Sequence, residues 1–361
     1  MKRILALDGG GIRGVFSLEI LLRMQTLLRA SSGAPDMVLA DHFDLFAGTS
    51  TGAIIATCLC WGMTVEAILD LYVRFGKIMF TPVPWYRPFK KVLVSRYEAR
   101  PLSEFLQRLF SEDDDGRIPA LLDSKRLRKS LLVVVRNHST GSAWPLTNNP
   151  QALYNNCALP DCNLRIPLWK VVRASTAAPV YFDPEEITLD QRSYVFVDGG
   201  ITPYNNPALI AGLTAVLPCY NMNWEPGPDK IRMISVGTIG FSSGLPEKVK
   251  RLWLGYNAAK IPAALMHGVA WQQDYLCRCL GQCIYAENLD SEVGDLVGMP
   301  LPGKNWFSYV RYNKSYGTEM LRQLLLKHRN LSRLDAIQAI PALQELGRTY
   351  ADEHVKLEHL V

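Results

Sequence analysis

The chain has 361 residues, 48% of them hydrophobic, which permits a large buried core in one domain or one domain with an appendage. Thirty-nine Lys and Arg stand against 34 Asp and Glu, a net charge of +5. That mild excess suits docking on anionic lipid and excludes a nucleic-acid polymer as the expected partner. Met1-Lys2-Arg3 followed by four apolar residues begins like a secretory signal, but Asp8 and the glycines after it end the run too early. Ile4–Leu7 is therefore expected to be a buried strand. Gly9-Gly10-Gly11-Ile12-Arg13-Gly14 follows, and then Val15, Phe16, Leu18, Ile20, Leu21, Met24, Leu27 and Leu28 recur at helical spacing. Strand, glycine turn and helix in succession aim several backbone N–H groups at one point, which makes an anion site.

The next strand-like run, Phe43–Ala47, leads into Gly48-Thr49-Ser50-Thr51-Gly52 and then the helical Ala53–Leu59. A G-x-S-x-G between strand and helix is a nucleophile elbow. The sharp turn exposes the serine hydroxyl, the glycines permit close packing, and the helix N-terminus favours negative charge beside Ser50. The weakly polar stretch from Leu45 to Met63 contains this elbow and is expected to be a buried helix, not a membrane span.

Between Ile78 and Val94 three prolines deny the chain a regular helix or central strand. Trp85, Tyr86 and Phe89 beside Arg87, Lys90 and Lys91 have the makeup of an interfacial lid; a loop packed by its own aromatics is the alternative. The acidic run Glu112–Asp115 and the basic run Lys125–Lys129 are expected to be solvated. Strands are expected at 131–135, 194–197 and 231–236, and the second ends in Asp198-Gly199-Gly200. A carboxylate at a strand end can be set beside another strand-end group such as Ser50. The alternation of strands and helices to about residue 240 is the mark of a mostly parallel sheet covered on both faces. Residues 241–361 are expected to be a helical C-terminal region packed on that core, serving access, oligomerisation or regulation.

Together the three glycine-bearing motifs resemble the patatin-like phospholipases, serine acyl hydrolases with a Ser–Asp dyad. The resemblance spans roughly the first two-thirds of the chain. It extends to Arg173-Ala174-Ser175-Thr176-Ala177-Ala178-Pro179, Asn205-Asn206-Pro207 and Ile234–Gly240. It implies an α/β, three-layer fold with a mostly parallel central sheet. Ser50 would be the nucleophile and Asp198 the general base. The amides of Gly9, Gly10 and Gly11, with Arg13 close by, would form the oxyanion hole, and Gly14, Gly48, Gly52, Gly199 and Gly200 would be the motif glycines. An aspartate of ordinary pKa, about 3.9, is a poor base at neutral pH, so such a dyad must rely on close contact and a dry pocket.

The resemblance implies cleavage of phospholipid acyl esters with no metal or organic cofactor, by peripheral contact with the inner face of the cell membrane from the cytoplasm. Compact bacterial proteins of similar design include cyclic-nucleotide-activated antiphage effectors, so a cyclic dinucleotide is a candidate activator and a homo-oligomer a candidate assembly. A constitutive lipase or esterase is the alternative; a lipid- or nucleotide-binding module without activity is another. Eight cysteines without a secretory signal are expected to be reduced thiols, and the six histidines to be packing or surface residues.

Overall fold

The computed structural model describes residues 1–83, 95–241, 268–299, 301–303 and 305–361. Its strands are β1 (Lys2–Leu7), β2 (Leu45–Thr49), β3 (Ser130–Asn137), β4 (Ser142–Thr147), β5 (Glu185–Leu189), β6 (Arg192–Asp198), β7 (Ile231–Val236), β8 (Gly240–Phe241), β9 (Gln282–Tyr285), β10 (Ser308–Tyr312) and β11 (Ser315–Tyr316). Among the described residues, nine of them form one sheet in the order β5-β6-β3-β2-β1-β7-β10-β9, with β4 paired to β3 off this path. Pairing is parallel from β3 through β9 and antiparallel at β4, β5 and β6.

Alternation along the central strands divides the core into two layers. Leu5, Leu7, Phe46, Leu131, Val133 and Val135 face one side of the sheet. There they meet helices α1 (Gly14–Ser32), α2 (Thr51–Cys60), α3 (Leu168–Ser175) and α4 (Ile340–His354). Ile4, Ala6, Leu45, Ala47, Leu132 and Val134 face the other side, against the helix Ala208–Val216 and Cys277 of the helical residues 268–280. A strand buried on both faces has no polar side to show. That is why β2 and α2 together read as one long apolar stretch, and every residue of α2 is buried. Among the described residues no helix is long and apolar enough to cross a membrane.

The C-terminal helices expected from the sequence are present, at Thr318–Lys327 and α4. The same region also contributes β9 and β10 to the main sheet, a role that short mixed runs such as Ser308–Tyr312 did not announce. Helix α4 lies along α1, with the Phe16 and Tyr350 rings 5.5 Å apart. One cysteine expectation is corrected: Cys157 and Cys162 form a disulfide, because a turn between them brings their Cα atoms to 5.0 Å. The other six cysteines are free.

Candidate active site

The register of the sheet assembles the site. Leu7 of β1 pairs with Gly48 of β2, so the glycine loop after β1 leaves the sheet level with the serine turn. Thr49 pairs with Val134 of β3, and on the far side of β3 Val135 pairs with Asp198 of β6. Ser50 and Asp198 therefore sit at the same height across one strand. β6 is antiparallel, so it enters from beyond the carboxyl edge of β3 and stops there, delivering Asp198 to the crevice where parallel sheets bind ligands.

Ser50 is held at φ 54°, ψ −123°, a strained conformation between β2 and α2. The flanking glycines make that turn possible. A Cβ on Gly48 would lie 2.3 Å from the Gly52 carbonyl oxygen, and one on Gly52 would lie 2.2 Å from that of Leu7. The Ser50 Oγ donates to Asp198 Oδ2 at 2.7 Å, and the Gly200 N–H donates to Oδ1 at 2.6 Å. Asp198 is almost wholly buried, and that burial raises its pKa to about 6, against the opposing pull of the Gly200 N–H, Ser50 and the Arg173 charge. A carboxylate so placed is a better base than a solvated one and is still ionised at neutral pH. Among the described residues, no histidine shares a hydrogen bond with either group; His359, for example, is bonded through Nδ1 to the Tyr312 hydroxyl at 2.7 Å.

The glycine loop is fixed from three sides. The Gly9 N–H donates to the Asn205 carbonyl at 3.1 Å, which removes Gly9 from the expected set of oxyanion donors. The Gly9 carbonyl accepts from the Thr238 hydroxyl at 3.1 Å. Arg13 turns back on the loop, its Nε donating to the Gly10 carbonyl and its Nη1 to that of Ile239, each at 3.3 Å. Burial pulls the Arg13 pKa down to about 10, so it keeps its charge at neutral pH. No described hydrogen bond engages the N–H groups of Gly10 and Gly11. Asp8, at the head of the loop, is locked by Arg311 of β10 through bonds of 2.8 and 2.6 Å, both side chains buried.

Gly14 lies at the start of α1, where a Cβ would meet the Thr51 hydroxyl, so α1 and the elbow helix pack tightly there. Trp85, Tyr86, Arg87, Phe89, Lys90 and Lys91 lie outside the described residues. Of the basic run, Arg126 stacks on the Trp61 ring and Arg128 pairs with Asp41, both remote from the dyad in the fold. Asn205, Ser175 and Arg311 were not singled out from sequence for any role. The first two stand within runs noted there, whereas Arg311 lies in an undistinguished strand some 300 residues from its partner. Among the described residues no group of three or more His, Cys, Asp or Glu side chains is arranged to hold a metal ion.

The family model described as patatin-like phospholipase matches residues 5–211. A protein named cGAMP-activated phospholipase, from Escherichia coli (strain TW11681), is 30% identical over 260 residues, covering 70% of this chain and 67% of its own. A protein of the same name from Vibrio cholerae serotype O1 is 29% identical over 249 residues, covering 66% of this chain and 64% of its own. The 85/88 kDa calcium-independent phospholipase A2 of Rattus norvegicus is 29% identical over 217 residues, 58% of this chain and 23% of that one. The chain thus spans about two thirds of the two bacterial relatives and under a quarter of the rat protein.

Proposed function

The chain belongs to the patatin-like phospholipase family, a family of ester hydrolases, and on that premise we propose that it cleaves fatty-acyl esters of membrane phospholipids through Ser50 and Asp198. The observation that carries this reading is the 2.7 Å bond from Ser50 Oγ to a buried carboxylate whose pKa is raised to about 6. Asp198 takes the hydroxyl proton as Oγ attacks the ester carbonyl, and the Gly10 and Gly11 N–H groups receive the oxyanion. The tetrahedral intermediate collapses to an acyl-enzyme as the lysophospholipid alkoxide leaves with the proton. Water, deprotonated by Asp198, then attacks the acyl-enzyme, releases the fatty acid and restores the Ser50 hydroxyl.

The substrate is reached from the aqueous side by peripheral contact with the inner face of the cell membrane, and Trp85, Tyr86, Phe89 and the neighbouring cations supply the composition for that contact. Activation by a cyclic dinucleotide is supported by the names of the two bacterial relatives, and a part in antiphage defence is what the family resemblance of the sequence adds to that reading. The test is release of free fatty acid from mixed phospholipid vesicles by wild type, Ser50→Ala and Asp198→Asn, each with and without a panel of cyclic dinucleotides. Loss of release in both variants supports the dyad. Full wild-type activity without any nucleotide sinks the activation and leaves a constitutive lipase. Undiminished activity in Ser50→Ala sinks the mechanism.

A further inference from the structure

We infer that Ser175 is a positioning residue for the reaction, holding the nucleophile in its strained turn through the Ser50 main chain. The inference rests on the Ser50 mechanism proposed above. Its hydroxyl accepts the Ser50 N–H at 2.9 Å and donates to the Val134 carbonyl at 2.7 Å, and the residue is wholly buried. A buried hydroxyl inside or ending a helix ordinarily donates to the carbonyl four residues back. Thr57 and Thr214 of this protein do so, bonding Ala53 and Ile210 at 2.7 Å each, whereas Ser17 of α1 reaches outside its helix to the Gly237 carbonyl at 2.7 Å. Ser175, the last residue of α3, also turns away from its own helix, donating to a strand and accepting from the elbow.

The location gives this choice its consequence. β3 runs between the strand that ends just before Ser50 and the strand that ends at Asp198, and Val134 is its residue level with Thr49. The same Val134 carbonyl is approached from the other side by Gly199, where a Cβ would lie only 2.2 Å away. Two residues beyond Ser175, the Ala177 carbonyl accepts the Asp198 N–H at 3.0 Å. One short segment therefore grips the backbone of both members of the dyad, and the Ser175 hydroxyl is its hold on Ser50. Without it, the half-buried Ser50 N–H at φ 54° loses its acceptor, and the turn relaxes away from the geometry that puts Oγ against Asp198.

The experiment compares wild type, Ser175→Ala and Ser175→Cys, the thiol being a weaker partner of similar shape. Active sites are titrated with a fluorophosphonate, and hydrolysis of a soluble ester is followed per titrated site across pH. We expect kcat per site to fall about 10–100-fold in Ser175→Ala and by an intermediate factor in Ser175→Cys, with KM changed less than about threefold. The acid limb of the profile, which belongs to Asp198, should stay in place. A residue that only supports the fold would lower the melting temperature and the fraction of titratable sites and leave kcat per site at the wild-type value; that result overturns the inference. If Ser175→Ala does not fold, Ser175→Cys decides on the same criterion. All assays are run with and without the cyclic-dinucleotide panel; a wild type that under every condition neither labels at Ser50 nor releases acid refutes the proposed function instead, so the two failures are distinct.

Discussion

Replacing Asp198 by Asn should lower activity and raise stability, and both effects follow from one number. Burial raises the Asp198 pKa from 3.8 to about 6, so the folded protein binds a proton there more tightly than the unfolded chain does. The stability this contributes is fully present below pH 3.8 and is lost as pH rises through about 6. A gap of about 2 pKa units corresponds to about 3 kcal/mol withheld at pH 7.5, an upper figure because relaxation and water soften such penalties. Asn keeps the shape, carries no charge and cannot take the Ser50 proton. Fatty-acid release should therefore fall by about 10²–10⁴-fold, the usual worth of a positioned general base. Urea unfolding should show Asp198→Asn more stable than wild type at pH 7.5 by as much as about 3 kcal/mol, with most of the gain gone at pH 4. Wild-type kcat/KM should rise with pH through a limb centred near 6. A limb near 4, or an Asn variant that is active or no more stable at pH 7.5, refutes the argument that a desolvated Asp198 is the base.

Ser50→Ala should abolish both fluorophosphonate labelling and fatty-acid release while leaving the melting temperature within a few degrees of wild type; residual labelling would point to another serine. Gly52→Ala forces a Cβ to within 2.2 Å of the Leu7 carbonyl and should cost about 3 kcal/mol or more, read as a drop in the urea midpoint with loss of activity. Arg311→Met strands the buried Asp8 carboxylate and should destabilise by about 3–5 kcal/mol; a change under 1 kcal/mol would mean the pair is not closed in solution. Joint substitution of Trp85, Tyr86 and Phe89 by Ala should impair vesicle hydrolysis more than soluble-ester hydrolysis, and equal losses would remove their assignment to membrane contact.

The glycine-bearing motifs were legible in the sequence because each is a local backbone requirement. Gly48 and Gly52 flank Ser50 where no Cβ fits, and the Gly9–Gly11 run stands where a Cβ would meet Asn205, Thr238 or Leu334. The unbroken apolar runs Ile4–Leu7 and Leu131–Val135 likewise announced strands buried on two faces, since successive residues of each feed opposite layers of the core. Other features depended on partners far away in the chain. The turn at Ser50 is closed by Ser175, the Gly9 amide is taken by Asn205, and Asp8 meets Arg311 across an interval no pattern spans. That β6 runs antiparallel and stops opposite Val135 is a matter of register, and register is set by which faces find burial once the sheet is assembled. Residue types and local turns therefore specify what chemistry is available, whereas the raised pKa of Asp198 and the occupied amide of Gly9 exist only in the packed state, because desolvation and hydrogen-bond occupancy are properties of neighbours brought together by folding.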